Sequence, residues 1–229
     1  MKKYQTTEIN IPVKEIGYLE GKFNMHNGLN DNHPVVLILP PHPKLGATMN
    51  NAIVSRMNEI FLKFNFNTLR INFRGIGKSQ GVSQGDNTEI IDGLHALDWL
   101  IKKTEFNKVK SPNVWVAGYG FGSYIALQIA MRRPEVTGFI AVATSFNASQ
   151  NQFNMLTPFP TGLIVHAKND NTCRTENVKN FYQQLIVQNA CNVELDIQDN
   201  DHYFKDELLF NESLSEFLSK YYVSNSMDD

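Results

Sequence analysis

The sequence predicts a three-layer α/β domain: a mostly parallel central sheet, covered on both faces by helices and edged on its N-terminal side by antiparallel strands. Three observations carry that prediction. Short apolar runs of strand length alternate with segments whose apolar residues recur at helical spacing, the pattern of a parallel sheet built from β-α units. Near the middle, residues 114–130 read VWVAGYGFGSYIALQIA, a β-branched and aromatic run followed by glycines at alternate positions (Gly118, Gly120, Gly122) and then a segment apolar all round. Such a stretch is a buried strand that turns sharply into a buried helix. The length of 229 residues, with 42% hydrophobic and 19% charged, suits one domain spanning residues 1–229 with a full core.

Taken in order, residues 4–27 alternate weakly and are broken by Pro12, Gly17 and Gly21, which predicts two or three short antiparallel edge strands. Residues 35–39 form an apolar run stopped by Pro40, Pro41 and Pro43, a strand buried on both faces, and the loop PPHPKLGA follows. Ile53, Met57, Ile60, Phe61 and Phe64 recur at helical spacing, and residues 68–73 are the next strand. A glycine-rich loop, residues 74–86, leads to a second amphipathic helix carrying Ile90, Ile91, Leu94, Leu97 and Leu100. After the central strand and turn come a strand at 138–142, a long polar and aromatic loop at 143–160, a strand at 163–166 and a helix at 175–189. A strand at 192–197 and a helix at 206–222 close the series.

Composition excludes several function classes. The net charge is −2 with no long basic run, so the electrostatic footprint of a nucleic-acid binder is missing. The N-terminal MKKYQTTEIN has no apolar run behind its lysines, and no apolar stretch is long enough to span a bilayer. Cys173 and Cys191 make neither a disulfide framework nor a CxxC pair. The expectation is a cytoplasmic protein acting on a small molecule, with no membrane or nucleic-acid partner, no metal and no cofactor.

In a parallel α/β sheet function gathers at the carboxyl ends of the strands, so the loops there are the places to look. Gly77, Lys78 and Ser79 suggest a phosphate loop, but the glycine that motif needs five residues earlier is Asn72. Residues 118–123 are nearly a dinucleotide fingerprint, with Ser123 in place of its third glycine. No acidic residue to hold a ribose occurs in residues 137–145, and two β-α units precede the stretch, so that reading ranks second. A nucleophile-acid-base order fits better. A sharp strand-to-helix turn with small residues two before and two after its apex is a nucleophile elbow, whose apex here is Gly120. Asp170 follows a later strand in HAKND, and His202 lies in DNDHYF between the last strand and the last helix. Singly, Asp170 reads as a solvated turn residue and His202 as a surface partner of Asp199, Asp201 and Asp206. Together with the elbow, their order favours a paired acid and base.

The segments PHPKLGATMN, TLRINFRGIGKSQG, VAGYGFGSYIALQ, HAKND and DHYF resemble the α/β-hydrolase superfamily. The resemblance runs from about Val35 to Phe217 and is closest to the small lid-less bacterial branch of dienelactone-hydrolase-like esterases. It implies an α/β-hydrolase fold and hydrolysis of small carboxylic esters by a serine-esterase route. It implies Asp170 as acid, His202 as base, and an oxyanion hole formed by the backbone N–H of Phe121 with that of Lys44 or Leu45. The loop carrying Arg74, Gly75, Gly77 and Ser79 matches one that is mainly structural. Three positions depart from the family pattern: Gly120 stands where the nucleophilic serine belongs, Lys168 replaces an acidic residue, and Arg174 stands where proline is common.

Without a hydroxyl at position 120 no acyl-enzyme can form. Removing the serine of a triad costs about a millionfold in rate, while an oxyanion hole and positioning alone leave roughly a thousandfold over water. Two expectations follow. One is a pseudoenzyme that retains the family's acid, base and oxyanion loop as a binding or regulatory module for an ester-like ligand. The other is an active hydrolase using a different nucleophile or a His202-activated water. Ser123, Ser79 and Cys173 are the side chains available, although Ser123 is expected to bond its own helix backbone and Cys173 to fill a small apolar space. Phe146, Phe153 and Phe159 in the loop at 143–160 suggest either an apolar acyl pocket or ordinary loop packing.

Overall fold

A computed structural model describes residues 4–26, 33–43, 47–83, 88–106, 113–144, 159–187 and 192–223. Eight strands form one sheet in the order β1-β2-β4-β3-β5-β6-β7-β8. β1 (Tyr4–Val13) and β2 (Gly17–His26) pair antiparallel along their whole length, and β2 pairs antiparallel with β4 (Asn67–Ile71). The expected short strands are therefore two long ones. Pro12 is tolerated because β1 is the edge strand, where a missing backbone donor is harmless. From β4 onward the sheet is parallel through β3 (Val35–Leu39), β5 (Val114–Tyr119), β6 (Val136–Val142), β7 (Thr161–Asn169) and β8 (Val193–Asp201).

The helices α1 (Ala52–Lys63), α2 (Thr88–Phe106), α3 (Phe121–Ala130), α4 (Thr175–Val187) and α5 (Glu207–Leu218) lie on the two faces of the sheet. α2, α3 and α4 bury Leu97, Leu100, Ile125, Val178 and Phe181 on one face, against Leu37, Val116 and Ile164. α1 and α5 bury Met57, Phe61, Phe210 and Phe217 on the other, against Ile38, Trp115 and Val165. The β3 run is wholly buried, as a strand covered on both faces must be. α3 is likewise buried at all ten positions, which accounts for its lack of a polar face. Ordinary amphipathic helices take the outer places.

β8 extends four residues past the expected Ile197, so His202 steps directly off a strand end. The helix at α5 starts one residue after Asp206, whose carboxylate caps it by accepting from Leu208 N and Leu209 N at 3.1 and 3.3 Å. Among the described residues no helix is long and apolar enough to cross a membrane. Most of the loop at 143–160, with Phe146 and Phe153, lies outside the described residues, as do Cys191 and the expected end of α4 at residues 188–189. Phe159 packs edge-on against Phe139 with ring centroids 5.1 Å apart, in line with the loop-packing reading.

Candidate active site

The site begins with the turn between β5 and α3. A methyl group at Gly118 would sit 2.2 Å from the backbone oxygen of Gly122, and one at Gly122 would sit 2.4 Å from those of Leu39 and Pro40. Glycine at both positions is a steric requirement of folding a strand straight back into a helix. Gly120 is different. Its backbone lies at φ 57° and ψ −118°, yet an added Cβ would meet only Pro41 Cβ, at an ordinary 3.6 Å. The apex thus has room for a side chain while its backbone conformation favours glycine. Its N–H donates to Val142 O at 2.8 Å, which fixes the turn to the neighbouring strand.

The acid and the base come from the next loops along the sheet, after β7 and β8. His202 Nδ1 lies 2.8 Å from Asp170 Oδ2, with the Asp170 side chain fully buried and that of His202 19% exposed. Asp170 Oδ1 accepts from Thr172 N (2.7 Å), the Thr172 hydroxyl (2.7 Å) and Cys173 N (3.1 Å). Burial works against the charged carboxylate, but these donors and His202 outweigh it and hold Asp170 well below the usual carboxylate range. An ionised carboxylate can only accept, so the shared proton is assigned to Nδ1. The remaining ring nitrogen, Nε2, then carries the lone pair.

The His202 loop is anchored on every side. Tyr119, the residue before the apex, donates its hydroxyl to His202 O at 2.9 Å, and the two rings lie 5.4 Å apart. Burial, then the nearby Asp170 charge, pushes the Tyr119 phenol above its usual range and keeps it a neutral donor. Phe204, with φ 47°, inserts its fully buried ring against Phe210, and Arg56 donates to Phe204 O at 3.1 Å while pairing with Glu207. The acids around His202 have other partners. Asp201 pairs with Lys205, Asp199 accepts from Asn169, and Asp206 caps α5.

The loop after β3 lies over the apex through Pro41, and the His42 ring sits 4.8 Å from that of Phe121. Phe121 is the first residue of α3, so its N–H has no acceptor within the helix, and Gly120 offers no side-chain cap. Lys44 and Leu45 lie outside the described residues. The Ser123 hydroxyl is fully buried and donates to Gly120 O at 2.8 Å. Ser79 donates to Asn72 O and accepts from Glu20 N, both at 2.8 Å. Cys173 is buried in the apolar cluster with Val178 and Phe181. Lys168 and Arg174 are exposed. Arg74 holds the fully buried Asp92 carboxylate through its guanidinium and its backbone N–H, and Glu20 Oε2 accepts from Asn72 Nδ2 and Lys78 N at 2.8 Å. The glycine-rich loop is thereby bound into the fold. Among the described residues no group of three His, Cys, Asp or Glu side chains converges to hold a metal.

Two residues of this arrangement went unread in the sequence. The Thr172 hydroxyl donates to Asp170 and lies 3.0 Å from His202 Nδ1, so it accepts from the same N–H that Asp170 does. His166, fully buried on β7, donates from Nε2 to Cys173 O at 3.1 Å and pins the turn that presents Asp170. Burial, the largest influence on it, lowers its pKa. An Asp-x-Thr turn directly after a strand was the available signal for Thr172. Nothing in the sequence marked His166 apart from a buried strand residue.

Residues 79–210 match the model of the family described as the dienelactone hydrolase family. An uncharacterised protein of Rickettsia prowazekii is 31% identical over 223 residues, covering 93% of this chain and 91% of the relative. A solved structure from Agrobacterium tumefaciens, of unknown function and assigned to the α/β hydrolases, shares 33% identity with a TM-score of 0.77, covering 95% of this chain and 98% of that one. An α/β serine hydrolase homologue from Coxiella burnetii shares 29% identity with a TM-score of 0.78, covering 93% of this chain and 97% of that one.

Proposed function

The chain belongs to the dienelactone hydrolase family of α/β hydrolases, and from that premise we propose that it keeps the acid, base and oxyanion loop of an esterase around an apex without a nucleophile. In this reading Asp170 is the acid, His202 the base, Phe121 N–H one oxyanion donor with Lys44 or Leu45 the other, and Gly120 the vacant nucleophile position. The observation that carries it is the 2.8 Å contact between His202 Nδ1 and Asp170 beside an elbow whose apex has space for a side chain but none in it. The ligand is a small ester-like molecule, bound and hydrolysed weakly or not at all by the acyl-enzyme route.

The reading of another nucleophile gains no support from Ser123, Ser79 or Cys173, whose side chains are buried in the elbow helix, the loop after β4 and the apolar core. The dinucleotide reading fares no better, since Gly118 and Gly122 are required by the close approach of the chain to itself. Short-chain p-nitrophenyl esters test the proposal. Turnover about a millionfold below an ordinary serine esterase is expected. Ordinary turnover that is lost in His202→Ala would contradict it.

A further inference from the structure

In a working triad the lone pair on the histidine Nε2 takes the proton of the serine hydroxyl. Here position 120 has no hydroxyl, and the other candidates are committed elsewhere: Ser123 to Gly120 O, Ser79 to Asn72 O, and Thr172 to the Asp170 side of the ring. Both hydrogen bonds of the His202 ring among the described residues fall on Nδ1. His202, its side chain partly exposed, is therefore held in its reactive tautomer by a buried carboxylate, and among the described residues no hydroxyl or thiol donates to its Nε2. His202 O accepts from the hydroxyl of Tyr119, two residues before α3, and the first N–H groups of α3 present the positive end of a fully buried helix.

We propose that this site acts as a general base toward a carbon acid, a small carbonyl compound with an acidic hydrogen on the carbon next to the carbonyl. The proposal rests on the reading of the site given above. The C–H bond breaks and its proton bonds to His202 Nε2. The released electron pair forms a carbon–carbon double bond, and the carbonyl π pair moves onto oxygen, where Phe121 N–H stabilises the enolate. Asp170 stabilises the imidazolium, and return of the proton to carbon or oxygen resets the base. No oxidant, metal or covalent intermediate is needed. A carbon acid suits the vacancy better than water because it anchors its own proton next to the oxygen that the helix end holds.

The test uses the full chain and the chromogenic carbon acid 5-nitrobenzisoxazole, whose C–H proton goes to a base as its N–O bond breaks to give a nitrile and a phenolate. The expected result is acceleration of about a hundredfold over imidazole at equal concentration. It should vanish in His202→Ala, return in part when imidazole is added to that variant, and drop about tenfold in Gly120→Ser, where a hydroxyl competes for the lone pair. Circular dichroism establishes that each variant is folded. A rate no higher than that of imidazole, or one retained in folded His202→Ala, overturns the proposal. Labelling of Gly120→Ser by a fluorophosphonate separates the two levels. Labelling without base catalysis in the unmodified protein sinks this inference and leaves the acid, base and oxyanion reading of the site standing, whereas the absence of both labelling and base catalysis sinks the two together.

Discussion

Position 120 joins a positive φ to an open direction for a side chain, whereas the glycines on either side of it are sterically closed. That contrast predicts unequal costs. Gly120→Ser should cost about 1–3 kcal/mol of stability, the range for a non-glycine residue in a sparsely populated backbone region. Gly118→Ala and Gly122→Ala should each cost more than about 4 kcal/mol or fail to fold, because a Cβ there meets backbone that cannot move aside. Urea unfolding measures all three. Asp170 gives a pH prediction with a definite sign. Its folded pKa is depressed, so its contribution to stability is complete above the unfolded value of about 3.9 and is lost as pH falls through the folded one. Asp170→Asn has no proton to take up there. The stability gap between the parent and this variant should therefore shrink as pH falls below about 4, and a gap constant from neutrality to pH 3 would contradict the assignment.

At the scale of elements, what could be read from the chain followed what each stretch buries. β3 was legible to the residue, and β5 with α3 as one strand-turn-helix stretch over 114–130, because their burial leaves continuous apolar runs. β8 was read four residues short because Gln198, Asp199, Asn200 and Asp201 break the apolar pattern, although the backbone continues to pair with β7 as far as Asp201. The sharp strand-to-helix turn at Gly120 was legible through its glycine pattern, and the contact between Asp170 and His202 was inferred only from their order in the chain. Thr172 and His166 were not, since their roles arise from a turn that folds back on itself across the 170–173 segment. The last loop shows how an element positions a side chain. Asp206 caps α5 while Asn200 Nδ2 donates to Asp206 O at 3.0 Å, so the helix start and the strand end hold His202 between them. Asp206→Ala should cost about 1 kcal/mol. A larger loss of base-dependent rate than of stability would show that the cap also sets the position of the imidazole.

Across the molecule, two apolar cores on opposite faces of one sheet fix the strand ends, and the candidate site is assembled from the loops after β3, β5, β7 and β8. Stability and site geometry are linked through polar pairs that tie loops to helices. The Arg74–Asp92 pair joins the loop after β4 to α2, with the Asp92 side chain fully buried. Burial raises the Asp92 pKa while the hydrogen bond to Asp92 raises that of Arg74, so the aspartate bears the desolvation cost and the arginine offsets part of it. Arg74→Met should then destabilise the fold by about 3–5 kcal/mol by stranding a buried carboxylate, and Arg74→Met combined with Asp92→Leu should recover much of that loss in urea unfolding. The proposed chemistry requires residue 120 to stand where attack on a carbonyl starts, within reach of the His202 imidazole. Intact-mass and peptide mapping of Gly120→Ser after treatment with a fluorophosphonate addresses this most directly. A single adduct at position 120 that disappears when His202→Ala is added is expected; a folded variant that takes up no reagent, or takes it up equally without the imidazole, would contradict this placement.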